Sequence, residues 1–305
     1  MPETPLVSVV ISNYNYARFL GEAVESVLKQ TYRHREIIVV DDGSTDDSPA
    51  VVRRFGDAIQ YHRQPNQGVS TARNFGARAS HGELIAFLDS DDAWLPEKLK
   101  RQIPLFAKRD VGMVYAGLRY VDASGRPLGM RTSGRTGRVL REIALLRGPG
   151  VPASGSSAVV RRRCFEQLGG FDPDLSTGAD WDLWRRIACH WEIDLIREPL
   201  VLYRLHGRGM HRNLDVFEYD KMVAFAKMFA DPAATEVHRL RRRCYGNLYM
   251  TLSGSHYQAG NVRQAVRFAL RAISTWPPAG GYLLAFPLRH LRRRLSGEES
   301  QEVPE

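Results

Sequence analysis

Short apolar runs that alternate with helical patterns constrain the fold of residues 1–100 most strongly. Four runs have the length and composition of buried strands, and apolar residues at helical spacing lie between them. This alternation is typical of a mostly parallel sheet with helices on both faces. The sequence therefore predicts a doubly wound, Rossmann-like α/β fold. The predicted strands are residues 7–11, 36–40, 59–63 and 84–88.

Polar clusters follow three of these predicted strands. In a doubly wound sheet, ligands bind beyond the carboxyl ends of the strands. Clusters that share one edge of the sheet therefore predict a binding site at that edge. The three clusters are Ser12-Asn13-Tyr14-Asn15, Asp41-Asp42-Gly43-Ser44 and Asp89-Ser90-Asp91-Asp92.

The last of these clusters places three carboxylates within four positions, at Asp89, Asp91 and Asp92. Clustered carboxylates repel one another unless a cation lies between them. Oxygen ligands favour hard cations such as Mg²⁺ or Mn²⁺, which also hold the phosphate oxygens of nucleotides. Capping of a helix that starts near Pro96 would explain one of the carboxylates and not three. The cluster therefore predicts a divalent metal site.

The composition is ordinary for a globular protein, with 43% hydrophobic and 25% charged residues in a chain of 305. Three widely separated cysteines provide neither a disulfide framework nor a zinc pattern, which fits a reducing compartment. The first residues lack the pattern of a signal peptide, and no apolar run is long enough to span a bilayer. These features predict a cytoplasmic protein.

The formal charge of +9 is unevenly distributed, because residues 207–305 hold 15 Lys or Arg and only 9 Asp or Glu. No nucleic-acid-binding module is recognisable, so a nucleic-acid partner is not expected. Near the C-terminus, an apolar stretch at residues 282–287 precedes a basic cluster at residues 289–294. Two interpretations stay open for this segment. It either contacts an anionic membrane surface or packs on the core and ends in a solvated tail.

After Met113 the pattern becomes mixed. It predicts strands at residues 112–120 and 156–160, helices at 139–146 and 180–190, and mostly helix from Asp215 onward. A Gly-, Pro- and Ser-rich loop at residues 148–155 is long enough to reach the pocket. A helical hairpin near the C-terminus has its second helix marked by a stripe of apolar residues. The stripe comprises Val262, Ala265, Val266, Ala269, Leu270 and Ile273.

Over residues 7–206 the chain resembles the family 2 inverting glycosyltransferases of the GT-A fold, the bacterial polysaccharide type especially. The resemblance implies a GT-A catalytic domain at residues 1–210, with a nucleotide-binding half at about 1–110 and an acceptor half at about 111–210. Residues 211–305 are then a helical C-terminal extension, which the resemblance does not cover. The motifs are Val9-Val10-Ile11-Ser12-Asn13-Tyr14-Asn15, Val39-Val40-Asp41-Asp42-Gly43-Ser44-Thr45-Asp46, Asn66-Gln67-Gly68 with Ala72-Arg73-Asn74, Asp89-Ser90-Asp91-Asp92, and Asp180-Trp181-Asp182-Leu183-Trp184.

The resemblance implies transfer of a sugar from a nucleoside diphosphate sugar, with a UDP-linked donor expected, to a hydroxyl of a glycan, lipid-linked or other acceptor. Bound Mn²⁺ or Mg²⁺ would neutralise the departing diphosphate. Many members carry Glu before the base, where this chain has Ala179. A noncatalytic relative that acts as a scaffold in a glycan assembly complex is therefore the alternative.

Residue roles also follow from the resemblance. Asp91 is expected to ligate the metal, whereas Asp92 is either a ligand or a helix cap. Asp41 is favoured as the acceptor of a hydrogen bond from uracil, and Asp42 is favoured as the organiser of the Gly43-Ser44 turn. The residues expected at the nucleotide are Ser12, Asn13, Tyr14, Asp41, Arg73, Asp89 and Ser90.

Asp180 matches the position of the general base, which deprotonates the acceptor hydroxyl. Its place at a helix start also allows a capping role, and Asp182 is expected to be structural. Arg204 and His206 are expected in a mobile segment that closes over the donor, where His206 would complete the metal shell. Trp181 and Trp184 are expected to pack in the core or to form the acceptor floor.

Overall fold

One mixed sheet of nine strands lies at the centre of the fold. The structure is a computed structural model that describes residues 4–146, 150–152, 154–207, 209 and 213–281. The strands are β1 (Val7–Asn13), β2 (Arg35–Asp41), β3 (Gln60–Arg63), β4 (Leu84–Asp89), β5 (Ala93–Trp94), β6 (Val111–Asp122), β7 (Pro127–Arg131), β8 (Ala158–Arg161) and β9 (Glu192–Leu205).

Helices connect these strands and form the C-terminal part of the described chain. They are α1 (Ala17–Leu28), α2 (Ser48–Arg53), α3 (Val69–Arg78), α4 (Lys98–Gln102), α5 (Leu140–Leu145), α6 (Arg162–Gln167), α7 (Ala179–His190), α8 (Leu214–Ala230), α9 (Thr235–His238), α10 (Arg241–Gln258) and α11 (Val262–Thr275). The helices predicted near residues 139–146 and 180–190 correspond to α5 and α7.

The first half of the sheet is parallel, with strand order β3-β2-β1-β4. Strands β1, β2 and β4 are almost continuous runs of buried residues, because helices cover both faces of the sheet, whereas the edge strand β3 is largely exposed. Pairing places Asn13 opposite Asp41 and Ser12 opposite Asp89. The predicted α/β arrangement is therefore confirmed, and the three polar clusters share one edge of the sheet.

The second half of the sheet is mixed. Strand β8 joins β4 and β6 in antiparallel pairs, and β6 then pairs in parallel with the long strand β9. The two-residue strand β5 forms the edge by pairing antiparallel with β9. The sequence did not predict β5, β7 or β9.

One buried apolar cluster extends from the sheet into the helical C-terminal part. It contains Val10 and Phe87 from the sheet as well as Phe225, Leu248 and Phe268 from α8, α10 and α11. The helices after residue 213 thus share a core with the strands that carry the polar clusters. The apolar core does not separate at the predicted boundary near residue 210.

The predicted apolar stripe of α11 is only partly buried. Its small residues Ala265 and Ala269 face the core, whereas Val262, Val266 and Leu270 are 57%, 53% and 64% exposed. The reason is close approach to α10, where the Ser253 hydroxyl donates to the Ala265 carbonyl at 2.7 Å. Among the described residues, no helix combines the length and apolarity needed to cross a bilayer.

Helix α3 lies very close to the sheet at Gly76, so this glycine sets the position of the whole helix. A Cβ at Gly76 would overlap Val10 and would lie 3.1 Å from Val40 Cγ2. We expect Gly76→Ala to lower the free energy of unfolding by about 2 kcal/mol, because the helix must shift. Gly254→Ala in α10 is the control, since that site is open and alanine should stabilise the helix by about 1 kcal/mol. Urea denaturation measures both changes, and equal effects would contradict the prediction.

Candidate active site

The Arg73 side chain joins two carboxylates from distant parts of the chain. Its Nη2 donates to Asp89 Oδ1 at 2.6 Å, and its Nη1 donates to Asp180 Oδ1 at 2.8 Å. Asp89 ends β4, Asp180 lies in the first turn of α7, and Arg73 is only 4% exposed on α3. The structure therefore brings together three predicted site residues, although Arg73 contacts carboxylates where a nucleotide contact was predicted.

Burial raises the pKa of the Asp180 carboxyl above its usual value, and the Asp89 charge acts in the same direction. The Arg73 guanidinium opposes this shift. Burial likewise disfavours the Arg73 cation, but the charges of Asp180 and Asp89 keep its pKa above the ordinary value. With its pKa raised, Asp180 accepts a proton more readily than an exposed aspartate, as a general base requires.

The second oxygen of Asp180 is held by the loop that precedes β8. The Gly155 N–H donates to Asp180 Oδ2 at 2.9 Å. A Cβ at Gly155 would lie 3.0 Å from Arg73 Nη2, so the tight approach depends on glycine. The Gly-rich loop thus reaches the site as predicted. The N-cap of α7 is Gly178, and the Asp180 side chain does not cap its own helix.

Asp91 and His206 form a second polar pair at the same edge of the sheet. Asp91 Oδ2 lies 2.9 Å from His206 Nε2, and the imidazole packs against the rings of Tyr16 and Phe19. No group of three or more His, Cys, Asp or Glu suited to a metal ion occurs within the described ranges. Two protein ligands nevertheless fit Mn²⁺ or Mg²⁺, because these ions complete their shells with phosphate oxygens and water at nucleotide sites.

Asp92 is buried and does not cap a helix, which contradicts the capping interpretation. Its Oδ1 accepts the Arg204 N–H at 2.8 Å, whereas Oδ2 has no hydrogen-bond partner in the described part of the chain. Burial and the negative charges of Asp91 and Asp89 raise the pKa of the Asp92 carboxyl well above its usual value. Strand β5 follows Asp92 directly, and the next helix begins only at Lys98.

Arg204 belongs to β9, so its predicted place in a mobile donor-closing segment is wrong. The guanidinium donates from Nε to the Asp91 carbonyl at 2.8 Å and from Nη2 to Glu22 at 2.7 Å. It also lies 4.9 Å from the ring centre of Phe19, and the residue is 4% exposed. Arg204 therefore fixes the backbone of the loop that carries Asp91.

Asp41 and Asp42 share the organisation of the loops after β2 and β3. Asp41 accepts from the Ser44 N–H at 2.7 Å and from the Tyr61 hydroxyl at 2.8 Å. Asp42 accepts from the amides of Gln67 and Gly68 just before α3. The assignment of the turn to Asp42 was therefore wrong, because Asp41 holds it.

The remaining predicted nucleotide residues differ in exposure. The Asn13 amide donates to the hydroxyls of Ser44 and Ser48, whereas the Tyr14 side chain is 46% exposed beyond β1. Ser12 and Ser90 are buried, and the Ser90 hydroxyl has no partner among the residues described. Tyr14 therefore offers the most accessible surface of this group.

Two buried tryptophans of α7, Trp181 and Trp184, follow Asp180 in sequence, and both pack in the core. Trp181 stacks on Phe225 with ring centres 4.8 Å apart, and Trp184 is 1% exposed. Asp182 is structural as expected, because it pairs with Arg185 and Arg186.

Comparison with models of known protein families identifies the family of this chain. The sequence model for Glycosyl transferase family 2 matches residues 8–169. The chain belongs to this family. Asp180 and His206 lie beyond the matched range.

Two relatives found by sequence similarity are named as uncharacterized glycosyltransferases. One, from Nostoc sp., is 37% identical over 67% of this chain and 66% of its own length. The other, from Rickettsia bellii, is 34% identical over 87% of this chain and 39% of its own length. The alignments with this chain thus span less than two thirds of these relatives.

Two solved structures share the fold, which confirms the GT-A type. The mannosyltransferase PcManGT from Pyrobaculum calidifontis, in complex with GDP-Man and Mn²⁺, has a TM-score of 0.64 and 22% identity over 95% of this chain and 81% of that one. Residues 1–349 of S. aureus TarS, in complex with UDP-GlcNAc, have a TM-score of 0.61 and 15% identity over 86% of this chain and 90% of that one.

Arg73 neutralises two carboxylates inside the fold, so its replacement should lower the stability of the protein. We expect Arg73→Met to lower the free energy of unfolding by about 3 kcal/mol, because it leaves a buried negative charge without its partner. Arg126→Met is the matched control, since Arg126 pairs with Asp122 at the surface and should change stability by less than about 0.5 kcal/mol. Chemical denaturation at neutral pH measures both, and a small effect at Arg73 would contradict the electrostatic account.

Proposed function

We propose that this chain is a metal-dependent inverting hexosyltransferase that transfers a sugar from a nucleoside diphosphate sugar to an acceptor hydroxyl. The observation that carries the proposal is the buried Arg73 bridge, which places the donor-side Asp89 and the base candidate Asp180 in one site. A scaffold protein would have no need for a buried carboxylate of raised pKa beside this edge of the sheet. The alternative noncatalytic role is therefore less well supported.

The donor is proposed to be UDP-linked, and Asp41 is the basis for that choice. Each Asp41 oxygen accepts one hydrogen bond, from Ser44 or from Tyr61, and retains a second lone pair. Asp41 is 0% exposed beneath Tyr61, so the imide N–H of uracil would bind there by displacing the Tyr61 hydroxyl. The names of the two solved neighbours mention different nucleotides, GDP-Man in one and UDP-GlcNAc in the other, so fold similarity alone does not choose between them.

Asp91 and His206 are proposed to hold Mn²⁺ or Mg²⁺, and Arg204 fixes the Asp91 loop in place. When bound, the ion would neutralise the charge that develops on the departing diphosphate. Burial and the negative charges of Asp91 and Asp89 raise the pKa of the Asp92 carboxyl, and those two charges also favour a cation at this edge. Ser12, Asn13, Tyr14 and Ser90 are proposed to line the nucleotide.

Asp180 is proposed to remove the proton from the acceptor hydroxyl. The hydroxyl oxygen then forms a bond to the anomeric carbon while the bond from that carbon to the diphosphate oxygen breaks, which inverts the configuration. Arg73 favours the ionised form of Asp180 and, together with the Gly155 amide, fixes the direction of its oxygens. The acceptor is proposed to be a glycan or a lipid-linked sugar.

Two variants separate donor binding from base catalysis. Asp91→Asn should weaken Mn²⁺-dependent binding of uridine diphosphate by about tenfold or more, because it removes a charged ligand. Asp180→Asn should leave this affinity within about twofold but lower kcat by at least about 100-fold. Calorimetry measures the first quantity, and release of free nucleotide from a panel of nucleotide sugars measures the second.

Asp57→Asn is the control for both variants, because Asp57 is exposed in a surface turn away from the polar clusters. Normal turnover by Asp180→Asn would overturn the assignment of the base. A wild-type chain that shows neither metal-dependent nucleotide binding nor donor hydrolysis would favour the scaffold alternative.

We also propose that the chain acts at the cytoplasmic face of a membrane, through α11 and the segment after it. The exposed residues Val262, Val266 and Leu270 form one stripe, and Arg263 and Arg267 are exposed beside it. Apolar side chains bordered by arginines fit an anionic lipid surface. The basic cluster at residues 289–294 follows in sequence but lies outside the described residues.

Cosedimentation with vesicles tests this contact. Wild-type protein should bind vesicles that contain phosphatidylglycerol and should not bind vesicles of phosphatidylcholine alone. The triple variant Val262→Ser, Val266→Ser, Leu270→Ser should bind about tenfold more weakly, because it loses the apolar contact. Met130→Ser, at an exposed site on β7, is the control. Equal binding to both vesicle types would refute the proposal.

A further inference from the structure

A single carboxylate on α8 binds the whole turn that leads into α7. Asp220 Oδ2 accepts from the Ser176 N–H at 2.8 Å, from the Gly178 N–H at 2.9 Å and from the Thr177 hydroxyl at 3.1 Å. Asp220 is 1% exposed. A buried carboxylate that accepts three hydrogen bonds holds its donors in a narrowly defined arrangement.

This turn determines where Asp180 lies, because Gly178 is the N-cap of α7 and Asp180 follows two residues later. No side chain within α7 or at its N-cap caps the helix, so Asp220 supplies from another helix the charge and the acceptor that a cap normally provides. The fit is tight, since a Cβ at Gly178 would lie 2.9 Å from Asp220 Cβ.

Helix α8 also contacts Trp181, the residue that directly follows Asp180 in sequence. The Trp181 ring stacks on Phe225, and the Lys221 ammonium lies 5.1 Å from the centre of the Trp181 ring. Burial lowers the pKa of Lys221 to about 8, and the negative charges of Asp220 and Asp180 oppose that shift. Contacts from one helix thus fix the backbone before Asp180 and the side chain after it.

We propose that Asp220 is a positioning residue for Asp180, so that α8 is part of the catalytic machinery although it lies outside the matched family region. The inference rests on the proposed function of Asp180 as the base. Arg73 and Gly155 hold the carboxylate end of Asp180, and Asp220 holds its backbone end. Both anchors are needed because a displacement of about 1 Å can reduce a catalytic rate by about 100-fold.

The variant Asp220→Asn keeps the size of the side chain but removes its charge and replaces one oxygen by a donor. We expect kcat to fall by about 10- to 100-fold, while the KM for the nucleotide sugar and the affinity for uridine diphosphate with Mn²⁺ stay within about twofold. Asp215→Asn is the matched control, because Asp215 is an exposed residue in the first turn of the same helix. Its kcat should equal that of the wild type.

A second variant covers the case in which Asp220→Asn fails to fold. Gly178→Ala preserves every charge but forces the turn away from Asp220, so it should also lower kcat selectively. Circular dichroism and thermal unfolding establish the folded fraction, and kcat is expressed per folded molecule. A fall in thermal stability with unchanged kcat in the folded fraction would mean that Asp220 is merely structural, which would overturn the proposal.

The double variant with Asp180→Asn provides the sharpest test. If Asp220 acts through Asp180, Asp220→Asn should cause no further loss of kcat once Asp180 is replaced. The same loss in both backgrounds would overturn the positioning role. An inactive Asp180→Asn together with a fully active Asp220→Asn would refute this inference alone, whereas an active Asp180→Asn would refute the proposed base itself.

Discussion

The arrangement of the site depends on one buried cation between two carboxylates. Arg73 comes from α3, which lies tightly on the sheet, and it reaches Asp89 from β4 and Asp180 from α7. A guanidinium is suited to this position because it remains charged when buried and can donate to two partners at once. Without it, two negative charges would face each other in a poorly solvated space. The bridge therefore joins the polar edge of the parallel sheet to the start of α7 in one electrostatic unit.

The acidic residues at this edge of the sheet have two kinds of partner: most accept hydrogen bonds from backbone amides, and one is paired with an imidazole. Asp41 and Asp42 hold backbone amides in two loops, and Asp92 holds the end of β9. Asp91 remains paired with an imidazole at the margin of this group. Such a division explains why so many carboxylates occur close together in a fold that must also keep its loops rigid.

The sequence was most informative about the parallel half of the fold and the residues at its edge. Strand periodicity and short-range turn signals are local, so β1 to β4 and the shared edge of Ser12, Asp41 and Asp89 could be predicted. The roles of Asp92 and Arg204 depend on β5 and β9 meeting across more than a hundred residues, as the Arg204 N–H to Asp92 bond shows. No local pattern signals such a contact. Likewise, α11 carries two apolar faces, and only its partner α10 decides which of them is buried.

The continuous apolar core between the sheet and helices α8 to α11 limits how this C-terminal segment can be exchanged between related chains. A helical segment that shares no apolar core with the rest of the fold can be exchanged among homologues without loss of stability. Here, replacement of the segment would expose Trp181, which stacks on Phe225, and would remove the carboxylate that anchors the α7 turn. Recombination at the apparent end of the family region would therefore yield chimaeras that retain the polar edge of the parallel sheet but lack an organised α7 turn.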